Sequence, residues 1–536
     1  DCGYKTDVAN GIKIGFAMKK ILIISTFFIC FYSNGQINIG GKPYSFENQI
    51  KAVKVIENQT PKIEFPKLDF EKLIKEDEHR ESFEPYRYGK VMKVAYDWNN
   101  SGKWIELENG NRIWKLEICC PEAKSINLSY DKFWLPQGGV LYIYDKDKSK
   151  IIGGLTNRNS QGTEEKPSGY ATGVIFNDKI ILEYYEPSEV RDKGIISLSK
   201  IVYGYREINP IVATSTGSSL CTVDINCSPE GDDWQDEKTS VALVVSNGGV
   251  FTGSLINNTN EDGTPYFLTA HHALVPNGND AITNPDAFDY VFWWEYETTT
   301  CGGYNYSHSE TVGATVIAND SPSDFALLEL KETPYDLLSP IQAFFNGWDR
   351  QVPYGGGVCI HHPQWNPKKI STDNTQPTSS GNYWKVNWNE TTNGTSIVYN
   401  GSSGAPLYNV FRNKRVVGQL YGAITQSCDY QNAFFGKFHV SWNNNPNEPR
   451  RRLKDWLDPN NTNPQGIDGT FCSGTNIKYI NNKNYYSDAD VFGCSIEMQN
   501  VSVGNSAVVI FHAANDIEIT NSFEVALGSE VQIGQP

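Results

Sequence analysis

From about residue 91 to residue 470 the chain runs in short apolar stretches rich in Val, Ile, Tyr, Phe and Trp, broken at close intervals by turn residues. "VLYIYDKDKSK", "SVALVVSNGGVFTGSLINN", "DYVFWWEY" and "RVVGQLYGAI" are typical. Runs of roughly four to eight β-branched and aromatic residues, bounded by Gly, Pro, Asn and Asp, read as strands. Strands of this kind bury their apolar faces by stacking sheets or closing them into barrels, so the expected class is all-β. The 29 Tyr, 25 Phe and 13 Trp supply ample core volume. At 536 residues the chain is too long for one ordinary domain.

Residues 1–17 precede Met18-Lys19-Lys20, and an apolar run, Ile21–Tyr32, follows. A basic start and a short apolar core read as a secretory signal peptide, so residues 1–36 are expected to be upstream sequence plus signal. The run is short of the ~20 residues a membrane span needs, and no other candidate span is present. Residues 37–215 form a β-rich pro-region, with a helix predicted near Glu71–Glu78 and a β-sandwich over 91–200. The polar stretch 208–219 marks a boundary, and residues 216–472 form a second strand-rich block. Near its end "EPRRRLKDWLD" predicts a helix, with Pro449 in the first turn and Leu453, Trp456 and Leu457 on one face. Residues 473–536 show short alternating strands at near-regular spacing, a small β-repeat segment whose pattern stops midway at Pro536, so truncation is expected.

A net charge of −16 argues against nucleic acid as a partner and suits an exported protein, extracellular or at the cell surface. The C-terminal segment is then the candidate for surface attachment. Export permits disulfides. Of eleven cysteines, Cys2 and Cys30 fall in the expected leader, and the nine left cannot all pair. Cys119 and Cys120 are adjacent and are not expected to bridge each other. No cysteine pair has the CxxC spacing of a zinc site.

"NGSSGAPLY" (400–408) carries the first chemical signal. A nucleophilic serine needs a tight turn that aims two backbone N–H groups at the place where an oxyanion forms. Ser403 is the candidate nucleophile, and Gly401 and Ser403 supply those N–H groups. "YFLTAHHAL" carries the second, a strand running into two histidines. Adjacent strand residues point to opposite faces, so at most one histidine serves a given site, and both binding one metal is disfavoured. "SPSDFALLEL" carries the third: Asp324 lies at the mouth of an apolar strand, where a buried carboxylate needs a partner such as an imidazole N–H. Asp320, in a more polar turn, is the competitor.

The order His272, Asp324, Ser403 is that of the chymotrypsin-like double β-barrel, and "TAHHA" matches its Thr-Ala-Ala-His-Cys pattern, which selects His272 over His271. Residues 220–470 resemble the lysyl endopeptidase family of secreted bacterial trypsin-like serine proteases through "TGSLINNT", "YFLTAHH", "DFALLEL", "GWDR", "IHHP", "GSSGAPLY", "VVGQLYG" and "LKDWLD…GIDG". The resemblance implies disulfides Cys221–Cys428 and Cys227–Cys301, with Cys359 a buried free thiol. It also implies a bridge whose positions here are Phe251 and Ala273, both halves lost together. The position of the family's lysine-binding acid is Ala433, and Ile397 holds the other pocket-base position. Lysine specificity is therefore expected to give way to apolar or small residues, because a desolvated ammonium without a carboxylate costs several kcal/mol. Tyr421 and Trp384 or Trp388 are candidate pocket walls, with core packing favoured for the tryptophans, and Asp429 is close enough in sequence to reach in.

The expected activity is that of a serine endopeptidase made as a zymogen, cut in or near 206–219, acting on protein or peptide substrates with no cofactor and no metal. The acidic run Asp232–Glu237 reads as a solvated turn before it reads as a calcium site. His361-His362 read as structural. The alternative is an inactive homologue acting as an extracellular binding or adhesion protein. An esterase is disfavoured because the Gly-x-Ser-x-Gly strand–helix turn is absent.

Overall fold

The structure is a computed structural model that describes residues 38–46, 60–80, 84–207, 222–274, 278–337, 342–423, 432–443, 447–472, 476–487 and 489–534. The expected signal segment, the 208–219 loop, Cys221, Cys428 and Asp429 lie outside the described residues. Contacts divide the chain into a larger unit, Ser33–Thr259 with Pro265–Thr470, and a smaller one that joins Asn260–Thr264 to Phe471–Pro536.

Within the larger unit, residues 62–204 build two sheets. One orders Lys62–Glu64, Arg112–Cys119, Lys179–Glu186, Val140–Asp145 and Ile151–Leu155, with Lys103–Glu106 paired on Arg112–Cys119. The other orders Gly89–Tyr96, Ile195–Gly204, Ser125–Trp134 and Tyr170–Ala171. Leu116, Ile118 and Leu182 of the first sheet and Leu128, Tyr130 and Ile201 of the second share one buried cluster, the sandwich predicted from sequence. The predicted leader helix is present as Phe70–Asp77, with the Asp69 side chain accepting from Lys72 N at its start.

The second block folds as a chymotrypsin-like double β-barrel. The first barrel uses β1 (Val241–Ser246), β2 (Gly249–Leu255), β3 (Tyr266–Ala270), β4 (Asp286–Thr298), β5 (Tyr306–Asp320) and β6 (Phe325–Leu330). Antiparallel neighbours run β1–β4–β5–β6–β3–β2, and β2 pairs back on β1, so the sheet closes and has no free edge within it. The second barrel uses β7 (Gly357–His361), β8 (Lys369–Asp373), β9 (Tyr383–Asn387), β10 (Pro406–Asn409), β11 (Arg415–Ala423) and β12 (Asn432–Lys437). Its order is β8–β7–β10–β11–β12–β9, and its ends meet where Asn389 N, just past β9, donates to Thr372 O of β8 at 3.0 Å.

β1 is buried at every position, which explains why its sequence reads as a continuous apolar run rather than an alternation. Its Leu243 and Val245 belong to the same cluster as the N-terminal sandwich, together with Val250, Val291 and Trp293. One core thus runs from the sandwich into the first barrel.

Two sequence expectations need correction. "EPRRRLKDWLD" is not one helix: Pro449–Arg451 is a 3-10 turn, Arg452 is extended, and Lys454–Leu457 is a separate helical turn. Leu453 is fully buried, and its N–H donates to Ser441 O at 3.0 Å, so a tertiary demand overrides the helical periodicity. The two histidines after β3 do not continue the strand either; His271–Leu274 is a single helical turn, so strand alternation is not what separates their roles.

In the smaller unit the C-terminal repeats wind into three parallel three-stranded ladders. Ile477–Asn481 stacks on Ser495–Gln499 and then Ile517–Ile519, and Ala489–Gly493 on Val508–Ala513 and then Glu530–Gly534. Ile480, Val491, Ile496, Met498, Val509 and Phe511 fill its interior, and a Cys472–Cys494 disulfide ties its start.

Candidate active site

Asp324 immediately precedes β6 and adopts a left-handed φ of 55°, a conformation Asp tolerates better than most residues. Only 2% exposed, it spends both carboxylate oxygens on one neighbour: Oδ1 accepts His272 N–H at 2.8 Å, and Oδ2 meets His272 Nδ1 at 2.7 Å. Its own carbonyl accepts His271 N–H at 2.9 Å. A carboxylate on Nδ1 fixes the proton there and leaves Nε2 with the lone pair of a base. The closed ladder of β3 on β6, with Ala270 paired to Phe325, brings these residues together across the sequence.

His271 is turned elsewhere. Its Nδ1 lies 3.1 Å from Asn319 Nδ2, and burial lowers its pKa. Asp320 ends β5 and takes no part in the His272 pair.

Ser403 sits in a turn between the barrels. Ser402 N donates to Tyr399 O, Gly404 N to Leu420 O and Ala405 N to Ser402 O. Among the described residues the N–H groups of Gly401 and Ser403 donate to no protein acceptor. Those are the two N–H groups read from the sequence as an oxyanion hole. The turn is seated on the first barrel: Thr252 N donates to Ser403 O at 2.9 Å, and Thr252 Oγ1 to Gly401 O at 2.8 Å. Gly404, at φ +84°, is obligatory here, because a Cβ would stand 2.1 Å from Thr269 Oγ1 and 2.8 Å from Ala270 N. The serine turn therefore abuts the end of β3, two residues before His272.

The turn is also held from below by His361, the last residue of β7. Its fully buried ring meets Ser402 Oγ at 2.7 Å through Nδ1 and Ser371 Oγ at 3.1 Å through Nε2, and burial lowers its pKa to about 3. His362 N donates to Thr252 Oγ1 at 3.2 Å, and its ring stacks on Tyr296. Sequence reasoning classed both as structural but did not foresee that they hold the serine turn. The only available signal was a second His-His pair at a strand end.

The expected pocket residues occupy different settings. Tyr421, on β11, places its ring edge-on to His272 at 5.6 Å and packs against Tyr383. Ile397 is 1% exposed, and its N–H and carbonyl both bond Ser371 Oγ. Ala433 is fully buried on β12, cross-strand from Ala423 and Val386. Neither position carries a charge. Trp384 and Trp388 are core residues of the second barrel, as favoured from sequence.

Cys227 and Cys301 form a disulfide, whereas Cys119, Cys120 and Cys359 are buried free thiols. Phe251 and Ala273 are buried, with Phe251 packed on Tyr290. In the acidic run, Asp232 accepts from Ser228, and Lys414 bonds the Asp233 carbonyl.

Residues 215–436 match the family model "Lysyl endopeptidase, C-terminal domain". Over this stretch the chain is similar to the lysyl endopeptidase family. A lysyl endopeptidase of Pseudomonas aeruginosa is 27% identical over 307 residues, which cover 50% of this chain and 62% of the relative's length. Among solved structures, a serine endoprotease of Yersinia pestis matches 38% of this chain and 60% of its own, at 14% identity and a TM-score of 0.25. A human pathogenic astrovirus serine protease matches 37% of this chain and 90% of its own, at 14% identity and a TM-score of 0.23. Such scores carry no argument; the fold assignment rests on the strand order above.

Proposed function

We propose that the protein is a secreted serine endopeptidase working through His272, Asp324 and Ser403. The observation that carries this reading is the buried Asp324–His272 pair, bonded through both carboxylate oxygens, beside a serine turn in which two N–H groups have no acceptor among the described residues. In the proposed reaction Ser403 Oγ attacks the peptide carbonyl carbon while His272 Nε2 takes the hydroxyl proton. The N–H groups of Gly401 and Ser403 hold the oxyanion. His272 then gives its proton to the leaving amine, and water, deprotonated by the same nitrogen, releases the acyl group. Asp324 orients the imidazole and stabilises its charged form.

The substrates on this reading are proteins or peptides. The uncharged Ile397 and Ala433 support the loss of lysine preference. A disulfide-bonded chain behind a signal-like leader supports export, and the sandwich built by residues 62–204 supports synthesis as a zymogen cut in or near 206–219. Attachment to a surface is assigned to residues 473–536. The test is hydrolysis of a peptide series with Lys, Leu, Ala or Val before the scissile bond, with Ser403→Ala alongside. Cleavage after Leu, Ala or Val, lost in Ser403→Ala, is expected. A strong Lys preference contradicts the pocket assignment, and cleavage that survives in Ser403→Ala contradicts the nucleophile.

A further inference from the structure

The N-terminal sandwich reaches the serine turn by two routes. Along the first, the Tyr86–Arg87 strand pairs with β2 at Val250 and Gly249, and Tyr88 N and Gly89 N both donate to Gly248 O. Two residues past Val250, Thr252 grips Ser403 O and Gly401 O. Along the second, the fully buried Tyr88 ring packs on Trp365 at 4.1 Å, with its hydroxyl donating to Asn127 Oδ1 at 2.9 Å. Trp365 belongs to the loop that walls the oxyanion turn. Gln364 N donates to Asn400 O at 2.7 Å, and a Cβ on Gly401 would lie 2.9 Å from both Gln364 N and His362 O.

That loop is strained. Gln364 and Trp365 have φ of 47° and 62°, a region that non-glycine residues keep only when their surroundings hold them there. Tyr296 OH holds the Trp365 carbonyl at 3.1 Å and Trp293 flanks its ring, while from the sandwich side Phe176 lies at 6.5 Å and Tyr88 makes the shortest ring contact, edge-on at 4.1 Å. The contact between sandwich and barrel is no loose cover. One apolar cluster spans both, Lys200 Nζ pairs with Asp289 at 2.8 Å, and Tyr170 OH donates to Glu332 Oε1 at 3.2 Å.

We propose that Tyr88 is a positioning residue for the oxyanion turn, acting through Trp365, and that the sandwich remains bound as part of the catalytic unit after any cut within 208–219. The proposal rests on the protease reading and deepens it: residues expected to be discarded on maturation instead hold the site in shape.

The test compares Tyr88→Phe with Tyr88→Ala in the full chain, following kcat, KM and the rate of fluorophosphonate labelling, each normalised to folded protein. Loss of one oxyanion donor costs ~10²–10³ in kcat, and a loosened turn is expected to lose at least about tenfold of that range. Tyr88→Phe keeps the ring and should match wild type. Tyr88→Ala should lower kcat and labelling rate together while KM holds. A folded Tyr88→Ala protein with wild-type kcat overturns the proposal. Should Tyr88→Ala fail to fold, the wild-type chain cut within 208–219 serves. Co-elution of residues 37–207 with the active fragment supports the proposal, and a freed fragment with undiminished kcat overturns it. If wild type itself neither labels nor hydrolyses, the protease reading falls and takes this inference with it.

Discussion

Asp324 joins a left-handed backbone to a carboxylate that is 2% exposed and bonded twice to one histidine. Asn shares the tolerance for that backbone, so Asp324→Asn should leave the turn intact while changing which imidazole nitrogen carries the proton. The expected result is a kcat lower by ~10⁴ with an unchanged melting temperature, by analogy with the same substitution in the triad template. A variant within tenfold of wild type would remove Asp324 from the mechanism. His361 makes a different prediction. Burial holds its folded pKa at about 3, against ~6.5 in an unfolded chain. Between those values the unfolded state binds a proton that the folded state does not, so this residue's contribution to stability is complete above about pH 6.5 and declines as pH falls towards 3. His361→Gln does not titrate, so its melting temperature should vary less between pH 7 and pH 4 than that of wild type. An identical slope would contradict the assignment.

At the level of elements, the Cys227–Cys301 bridge closes a loop of 74 residues across the approach to the first barrel. Removing it as the Cys227→Ala/Cys301→Ala double variant should cost about 2–5 kcal/mol in urea unfolding, and an unchanged midpoint would show that it contributes nothing. What could be read from the sequence divides along the same lines. His272 and Asp324 stand out as candidates because each adjoins a strongly apolar strand, and Ser403 because its Gly-Ser turn completes the His-Asp-Ser order along the chain. The Phe70–Asp77 helix was legible from local charge and periodicity. The broken helix at 449–457 was not, because burial of Leu453 against distant partners decides it. Nor was the role of His361 under Ser402, a contact 41 residues apart in sequence. The Cys472–Cys494 bridge joins two residues that carried no distinguishing local pattern.

Within the larger unit the sandwich and the first barrel share a continuous core. Trp114, Leu116 and Ile118 of the sandwich and Leu243, Val245 and Trp293 of the barrel belong to one cluster. Elements that share a core lose it together. Hydrogen exchange across a urea series should therefore show Ile113–Ile118 and Leu243–Val245 losing protection at the same midpoint. Separate midpoints would restore two independent domains.

The central claim is that Ser403, activated by His272 and Asp324, is a nucleophile. It is tested most directly by treating the folded protein with a fluorophosphonate and locating the adduct by mass spectrometry. The account predicts a single adduct on the peptide containing Ser403, abolished in Ser403→Ala. A folded wild-type protein that takes no label, or takes it elsewhere, would contradict it.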